Sequence, residues 1–294
     1  MSRFQGKRVL LGCTAEGAVL LAGQAATARD VLAWVAVDPS QSGSVAALCG
    51  AVAELKPEKP VSATNGTNTT NTTIRASLSV TVDDGLARSF IVTPPSGAQG
   101  LAELRASAAA RFTALYGESG EAWLLAADWQ ATAPFIACAL PRPLYQALDG
   151  LAQMSGWRLE SVRPALAHVW NRLRASIPDD GWLIVGFGQT LTLVHTAKAQ
   201  VAGLRTVRLP GAPDLPELVT LLEQEHLRAQ VPGEAHDRQA LLWTGAADWL
   251  PVAPTIAGLT SRALPLRAHL RSAGDLSEPC QLACHLALAG SVTR

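Results

Sequence analysis

Along much of this chain, apolar residues come in short runs broken by Gly, Asp and Pro, and the period of each run predicts its element. Arg8 to Cys13 and Gly17 to Leu21 read as two short strands around a Thr14-Ala15-Glu16 turn, with Val31 to Val37 as a third strand before Asp38-Pro39. Ser44 to Leu55 has helical composition and stops at Lys56-Pro57. Ala76 to Val82 and Leu86 to Val92 flank Asp83-Asp84-Gly85, and an Asp-Gly between alternating β-branched runs predicts a hairpin. Leu101, Leu104, Ala108, Phe112 and Leu115 recur at helical spacing, which predicts the core face of a helix ending at Gly117. Strands over Ala122 to Ala127 and Phe135 to Leu140 bracket Asp128-Trp129-Gln130. Pro141 and Pro143 then open a helix to about Gly156, and Trp157 to Val162 is a further strand.

The second half starts afresh. Gly181 to His195 reads as a strand, a glycine turn and a strand back, followed by a third strand over Val201 to Leu209 and a helix over Leu215 to Arg228. A small-residue turn of this kind suits close approach of backbone to a phosphate, because glycine has no Cβ to keep the two apart.

Composition narrows the class. The chain has 294 residues, 48% of them apolar and 16% charged, with zero formal net charge, enough for one large domain or two lobes. Scattered arginines and zero net charge argue against a nucleic-acid partner, which selects for clustered Lys and Arg. No stretch offers about 18 uninterrupted apolar residues, since Gln24, Arg29 and Asp30 break the best early one, so no direct membrane insertion is expected. With no export-type apolar region behind Met1 to Arg8, the expected location is the cytoplasm. Five widely spaced cysteines, at 13, 49, 138, 280 and 284, fit reduced thiols. Cys280 and Cys284 lie one helical turn apart with His285 adjacent, but no second ligand pair has zinc-like spacing, so core packing is the reading and no metal is expected. The Asn-X-Thr repeats at Asn65, Asn68 and Asn71 fall in a polar tract that reads as low complexity in a loop.

Several segments resemble, in order, the cytoplasmic actin-like proteins of type IV pilus and type II secretion assembly, the PilM, MshI and GspL group. Phe135-Ile-Ala-Cys-Ala-Leu-Pro-Arg-Pro-Leu-Tyr145, the helix to Gly156, Leu159-Glu-Ser-Val162 and Ala165 to Leu173 are similar to that group's strand, helix, strand and helix. Gly181 to Val194 resembles its second phosphate hairpin. Leu241-Leu-Trp-Thr-Gly-Ala-Ala-Asp-Trp-Leu250 resembles its adenosine strand and turn, with Ala246 in place of a second glycine, and Pro279 to Gly290 resembles its closing helix.

The resemblance implies an α/β fold of two ribonuclease H-like lobes of the actin-like ATPase type, with a β-hairpin insert in the first lobe. The lobes expected are residues 1–176, containing a flexible loop and hairpin insert over 56–94, and 177–294, with the terminal helix packing back. It also implies a vestigial nucleotide site at Gly186, Gly188, Gln189, Thr190, Gly245 and Ala246. The aspartate that holds magnesium in active members is replaced by Gly186, and the first-lobe turn Gly12-Cys-Thr-Ala-Glu-Gly17 lacks the family's aspartate-glycine phrase. No catalytic residue and no cofactor are therefore expected, with Mg-ATP disfavoured. The implied function is a cytoplasmic scaffold, held at the inner membrane through partners. It would bind the cytoplasmic tail of a single-span inner-membrane assembly protein, with a second surface for an assembly ATPase.

The alternative is an active ATP-binding, sugar-kinase-like phosphotransferase using Asp128 or Asp248. Asp128 reads better as a turn cap and Asp248 as a first-turn helix residue. A third reading is a protein of the same fold that has drifted to an unrelated binding role. Neither His195, read as a satisfied surface or edge residue, nor His226, read as a helix-face residue, sits in a recognisable catalytic or metal motif. Trp34, Trp123, Trp182 and Trp243 fall in strand-like runs and read as core anchors, whereas Trp129, Trp157 and Trp249 sit nearer turns and are candidates for a binding surface.

Overall fold

The computed structural model describes residues 8–23, 30–56, 76–98, 100–229, 240–246, 249, 255–264 and 275–291. The Asn-X-Thr tract and Asp248 lie outside them. The chain forms two compact units, Met1–Leu86 with Pro141–His168 and Arg267–Arg294, and Ala87–Leu140 with Val169–Leu266. This division crosses the sequence several times, whereas the expected lobes meet once, between residues 176 and 177.

In the first unit, β1 (Arg8–Thr14), β2 (Gly17–Ala22) and β3 (Val31–Ala36) form an antiparallel meander. With β4 (Ser77–Val82) and β8 (Arg158–Pro164), both added in parallel, they make a five-stranded sheet in the order β3-β2-β1-β4-β8. Side chains alternate along β1. Leu10 joins Val19 and Leu21 of β2 in a core against α6 (Glu278–Ala289), which supplies Cys280, Ala283, Cys284, Ala287 and Leu288. Val9, Leu11 and Cys13, all fully buried, point the opposite way, and there α1 (Val45–Glu54) packs on α3 (Arg142–Met154). The Ser44 hydroxyl caps α1 by accepting from Ala47 N at 3.3 Å. Where α6 crosses β1, the strand residue is Gly12, and a Cβ there would lie 2.0 Å from the Ala283 carbonyl oxygen and 2.9 Å from Ala287 N. Only glycine lets the helix backbone come this close.

The expected hairpin across Asp83-Asp84-Gly85 does not form. β4 already has β1 and β8 on its two sides, so β5 (Arg88–Val92) pairs instead with β7 (Phe135–Pro141), antiparallel, in a separate sheet ordered β5-β7-β6, where β6 is Trp123–Ala127. The turn signal itself is real: Asp83 Oδ1 accepts from Gly85 N at 2.6 Å, and Leu86 N donates to the Asp83 carbonyl at 3.0 Å. It sends the chain out of one sheet and into another.

The second unit holds that three-stranded sheet. α2 (Leu101–Tyr116) packs on one of its faces through Leu104, Ala108 and Phe112, against Phe90, Val92, Phe135, Ala137 and Ala139. Leu101 and Leu115, expected on the same core face, are 45% and 44% exposed because they lie at the helix ends. The unit also holds a six-stranded sheet, β11-β10-β9-β12-β14-β13, whose strands are β9 (Gly181–Phe187), β10 (Thr190–Ala197), β11 (Gln200–Arg208), β12 (Ala240–Ala246), β13 (Thr255–Ile256) and β14 (Leu259–Ala263). Its β9-β10-β11 meander followed by parallel β12 repeats the topology of the first sheet. α5 (Leu215–Ala229) covers one face through Leu218 and Leu222. The buried Glu225 carboxylate of α5 binds both Arg205 of β11 and Arg228. His195, read as a surface or edge residue, is instead buried in the middle of β10, with its ring 4.8 Å from that of Trp182.

Two substitutions test this architecture. Gly12→Ala drives a methyl into the α6 backbone and is expected to cost about 1–3 kcal/mol, read as a lower urea midpoint. Lys198 and Ala199 turn β10 into β11 with φ of 52° and 61°, a left-handed pair without glycine. Ala199→Gly is expected to stabilise the chain by about 0.5–1 kcal/mol, and a midpoint that falls would contradict this reading of the turn.

Candidate functional site

Each meander opens on a turn between its first two strands, the position where an actin-like fold would meet phosphate, and the two turns can be judged by where their backbone groups go. In the first, the Thr14 hydroxyl accepts from Glu16 N at 3.2 Å and donates to the Gly17 carbonyl at 3.3 Å. The Ala15 and Glu16 carbonyls accept from Gly43 N and Val37 N at 3.1 and 2.8 Å. Gly17 is there for close packing, since a Cβ would stand 2.5 Å from both the Trp34 ring and the Val35 carbonyl oxygen. The turn therefore holds its own amide with a hydroxyl, and it carries a carboxylate, Glu16, where a phosphate site needs positive charge.

In the second unit, the structure brings Gly186, Gly188, Gly245 and Ala246 together. Gly245 pairs with Gly186 and Ala246 with Phe187 across β12 and β9. A Cβ on Gly245, whose φ is 141°, would fall 1.7 Å from the Gly186 carbonyl oxygen. Gly188, with φ of 53°, is the first residue of a two-residue turn between the paired Phe187 and Thr190. Its N–H donates to the Ala246 carbonyl at 3.2 Å, and its carbonyl accepts from the Trp249 indole at 3.0 Å. The Gln189 carbonyl accepts from Leu209 N at 2.8 Å. Gln189 itself is exposed at the tip and Thr190 is buried. The Gly188 amide is thus spent inside the protein, and strand packing explains Gly245.

The best-built polar site is one that sequence reasoning missed. At the end of β4, the buried Asp84 carboxylate accepts from Leu166 N with both oxygens, at 3.0 and 3.1 Å, and so caps α4 (Ala165–Leu173). A carboxylate at a helix N-terminus is favoured by its unsatisfied amides and by the dipole. One turn along, His168 is 8% exposed, hydrogen-bonds the Val80 backbone, and has no partner for Nε2. That nitrogen faces Gly290, where a Cβ would stand 3.2 Å from it and 2.3 Å from Thr81 Oγ1. Burial first, then the charges of Arg163 and Arg8, pull its pKa down from 6.5 to about 4. An Asp pair behind a buried strand and before a glycine signals a turn and a helix cap equally well, which is how Asp84 escaped notice.

Other candidates are placed as follows. Asp128 is exposed in the β6–β7 loop. The Cys13 thiol is pushed well up by burial, which suits packing and not nucleophilic work. Trp182 and Trp157 are buried, and Trp34, Trp123, Trp129, Trp243 and Trp249 are half-buried.

With this geometry in view, the comparisons can be read. No protein-family model matches the chain, and no curated protein matches it in sequence. Among solved structures it is similar to the cytoplasmic domain of EpsL, an inner-membrane component of the type II secretion system of Vibrio cholerae. That likeness has a TM-score of 0.51 at 13% identity over 98% of this chain and 97% of that one. It is also similar to a structure of the PilM-PilN type IV pilus biogenesis complex, with a TM-score of 0.52 at 13% identity over 99% and 100% of the two chains. The chain has the actin-like α/β fold. It shares this fold with both of those structures over nearly its whole length.

Two outcomes follow from the site. Gly245→Ala is expected to destabilise the nucleotide-free chain by on the order of 2 kcal/mol, measured by urea unfolding, because the clash is with a strand and not with a ligand. In the folded chain His168 stays neutral down to about pH 4, while in the unfolded chain it protonates near 6.5. The unfolded state then binds more protons between those values, so stability is complete above pH 6.5 and declines as the pH drops toward 4. His168→Gln should flatten the upper part of that decline in a pH series of urea midpoints.

Proposed function

We propose that this chain is a scaffold on the cytoplasmic side of an envelope assembly machine of the type IV pilus or type II secretion kind. It binds the cytoplasmic tail of a single-span inner-membrane partner and does no nucleotide chemistry. The observation that carries the reading is that each glycine turn spends one amide inside the protein: the Thr14 hydroxyl holds Glu16 N and the Ala246 carbonyl holds Gly188 N, in a fold otherwise kept along its whole length. A protein that hydrolyses ATP needs those amides for phosphate and an acid for magnesium. One that only docks a partner needs the sheets and their edges. Support for the partner class comes from the two similar structures, one an inner-membrane component of a secretion system and the other a pilus biogenesis complex. An assembly ATPase is the second partner this reading places on the chain. No described helix is long and apolar enough to cross a membrane, consistent with attachment through such partners.

The test is fluorescence anisotropy with labelled peptides copied from the cytoplasmic tails of single-span inner-membrane proteins encoded beside this chain. Saturable binding of one tail, unchanged by Mg-ATP, is the expected result. Failure of every tail to bind, together with phosphate release from ATP, would overturn the reading in favour of a phosphotransferase.

A further inference from the structure

Where the three-stranded sheet meets the end of α2, two aromatic rings and a carboxylate surround one guanidinium. Arg88 opens β5, and its register partner on β7 is a small residue, Ala139. Its Cζ lies 4.9 Å from the centre of the Tyr116 ring and 5.7 Å from that of Trp123, and its Nη2 lies 3.5 Å from Glu118 Oε1. The local sequence brings these groups together. Tyr116 is the last residue of α2, Gly117 leaves the helix with φ of 67°, Glu118 follows at once, and β6 begins on Trp123.

The rings and the carboxylate are fixed by contacts of their own. The fully buried Phe112 ring stands 5.1 Å from Tyr116 and 5.4 Å from Trp123. The Trp123 indole donates to Glu118 Oε2 at 2.7 Å, and the other oxygen, Oε1, is the one nearer the guanidinium. The occupant is held less firmly than its receptor. The Arg88 side chain is 45% exposed, and its 3.5 Å approach to Glu118 is longer than the roughly 2.7–2.9 Å of a charge-assisted hydrogen bond.

We propose that Tyr116, Glu118 and Trp123 form a receptor for the guanidinium group of an incoming ligand, with Arg88 as a built-in placeholder. Two π faces favour a delocalised, weakly hydrated cation, and the carboxylate beside them favours planar N–H donors, so arginine fits where lysine does not. Exchange leaves the contacts nearly balanced: Arg88 moves into water that already reaches it, and the incoming group takes over the same rings and the same oxygen. The affinity measured is lowered by the share of time that Arg88 fills the site. Free arginine and an arginine side chain of a protein share this chemistry. This inference does not rest on the scaffold reading.

Titration of the isotope-labelled full chain with N-acetylarginine amide tests it, read at the Trp123 indole N–H resonance, which Trp123→Phe identifies, with circular dichroism as a check on folding. Saturable binding to the unsubstituted chain is expected, about tenfold tighter in Arg88→Ala, where the placeholder is gone. Glu118→Gln in the Arg88→Ala background keeps an acceptor for the indole but removes the charge, and should weaken binding by about tenfold or more. N-acetyllysine amide should bind about tenfold more weakly than its arginine counterpart. Tighter binding of a capped Gly-Arg-Gly peptide than of free arginine assigns the group to a protein, and the reverse order assigns it to the free amino acid. No saturable shift in folded Arg88→Ala, an equal response to the lysine amide, or no effect of Glu118→Gln would each overturn the proposal. So would an unsubstituted chain that never responds while Arg88→Ala does, because Arg88 would then be a fixed part of the fold.

Discussion

The contact between Gly12 and α6 is the constraint on which the first unit depends. Helix α6 comes from the far end of the sequence and lies across β1 so closely that its Ala283 carbonyl fills the space of a side chain on residue 12. Small residues continue the fit on the helix side, with Cys280, Ala283, Cys284 and Ala287 forming the face that meets the strands. The five-stranded sheet is thereby covered by a segment more than 250 residues downstream of its first strand. The unit cannot be complete until the chain has returned, because β4, β8 and α6 all belong to it, and residues 87–140 of the second unit lie between the first two and 169–266 between the last two.

That same economy of backbone recurs at the glycines of the two turns. A glycine next to a meander turn looks like a phosphate cradle in a sequence, yet here each is placed by protein against protein: Gly17 by Trp34 and Val35, and Gly245 by Gly186. The polar groups around them are matched in pairs, hydroxyl to amide in the first unit, and carbonyl to amide and indole to carbonyl in the second. Spent donors do not exclude an anion by force. A phosphate bound by the Glu16 or Gly188 amide would have to replace a bond already made. The carboxylate work in the first unit goes to architecture as well, with Asp84 held by the start of α4.

Much of this was legible in the chain because hydrophobic period is local. The strands over Arg8 to Cys13 and Gly17 to Leu21, the helix ending at Gly117 with its left-handed cap, and the closing helix to Gly290 all follow from residues near one another. What escaped was set by distance. Asp83-Asp84-Gly85 has the chemistry of a hairpin, but β4 was already flanked on both sides, a fact carried by residues far from the turn. His195 looked like a surface or edge residue at a strand end, and only the three-stranded meander shows it to be buried beside the Trp182 ring. Of the six candidate nucleotide residues, Gly186, Gly188, Gly245 and Ala246 lie together across β9 and β12. Their hydrogen bonds, which decide what they can do, could be read only from the fold.

The most direct measurement of the central claim is a titration of the folded chain with Mg-ATP, followed by thermal unfolding. With one amide of each turn spent internally, the account predicts no shift in the midpoint at any concentration. A magnesium-dependent stabilisation, about 2.7 kcal/mol once nucleotide reaches roughly 100 times its dissociation constant, would show that the turns open to phosphate and would contradict it.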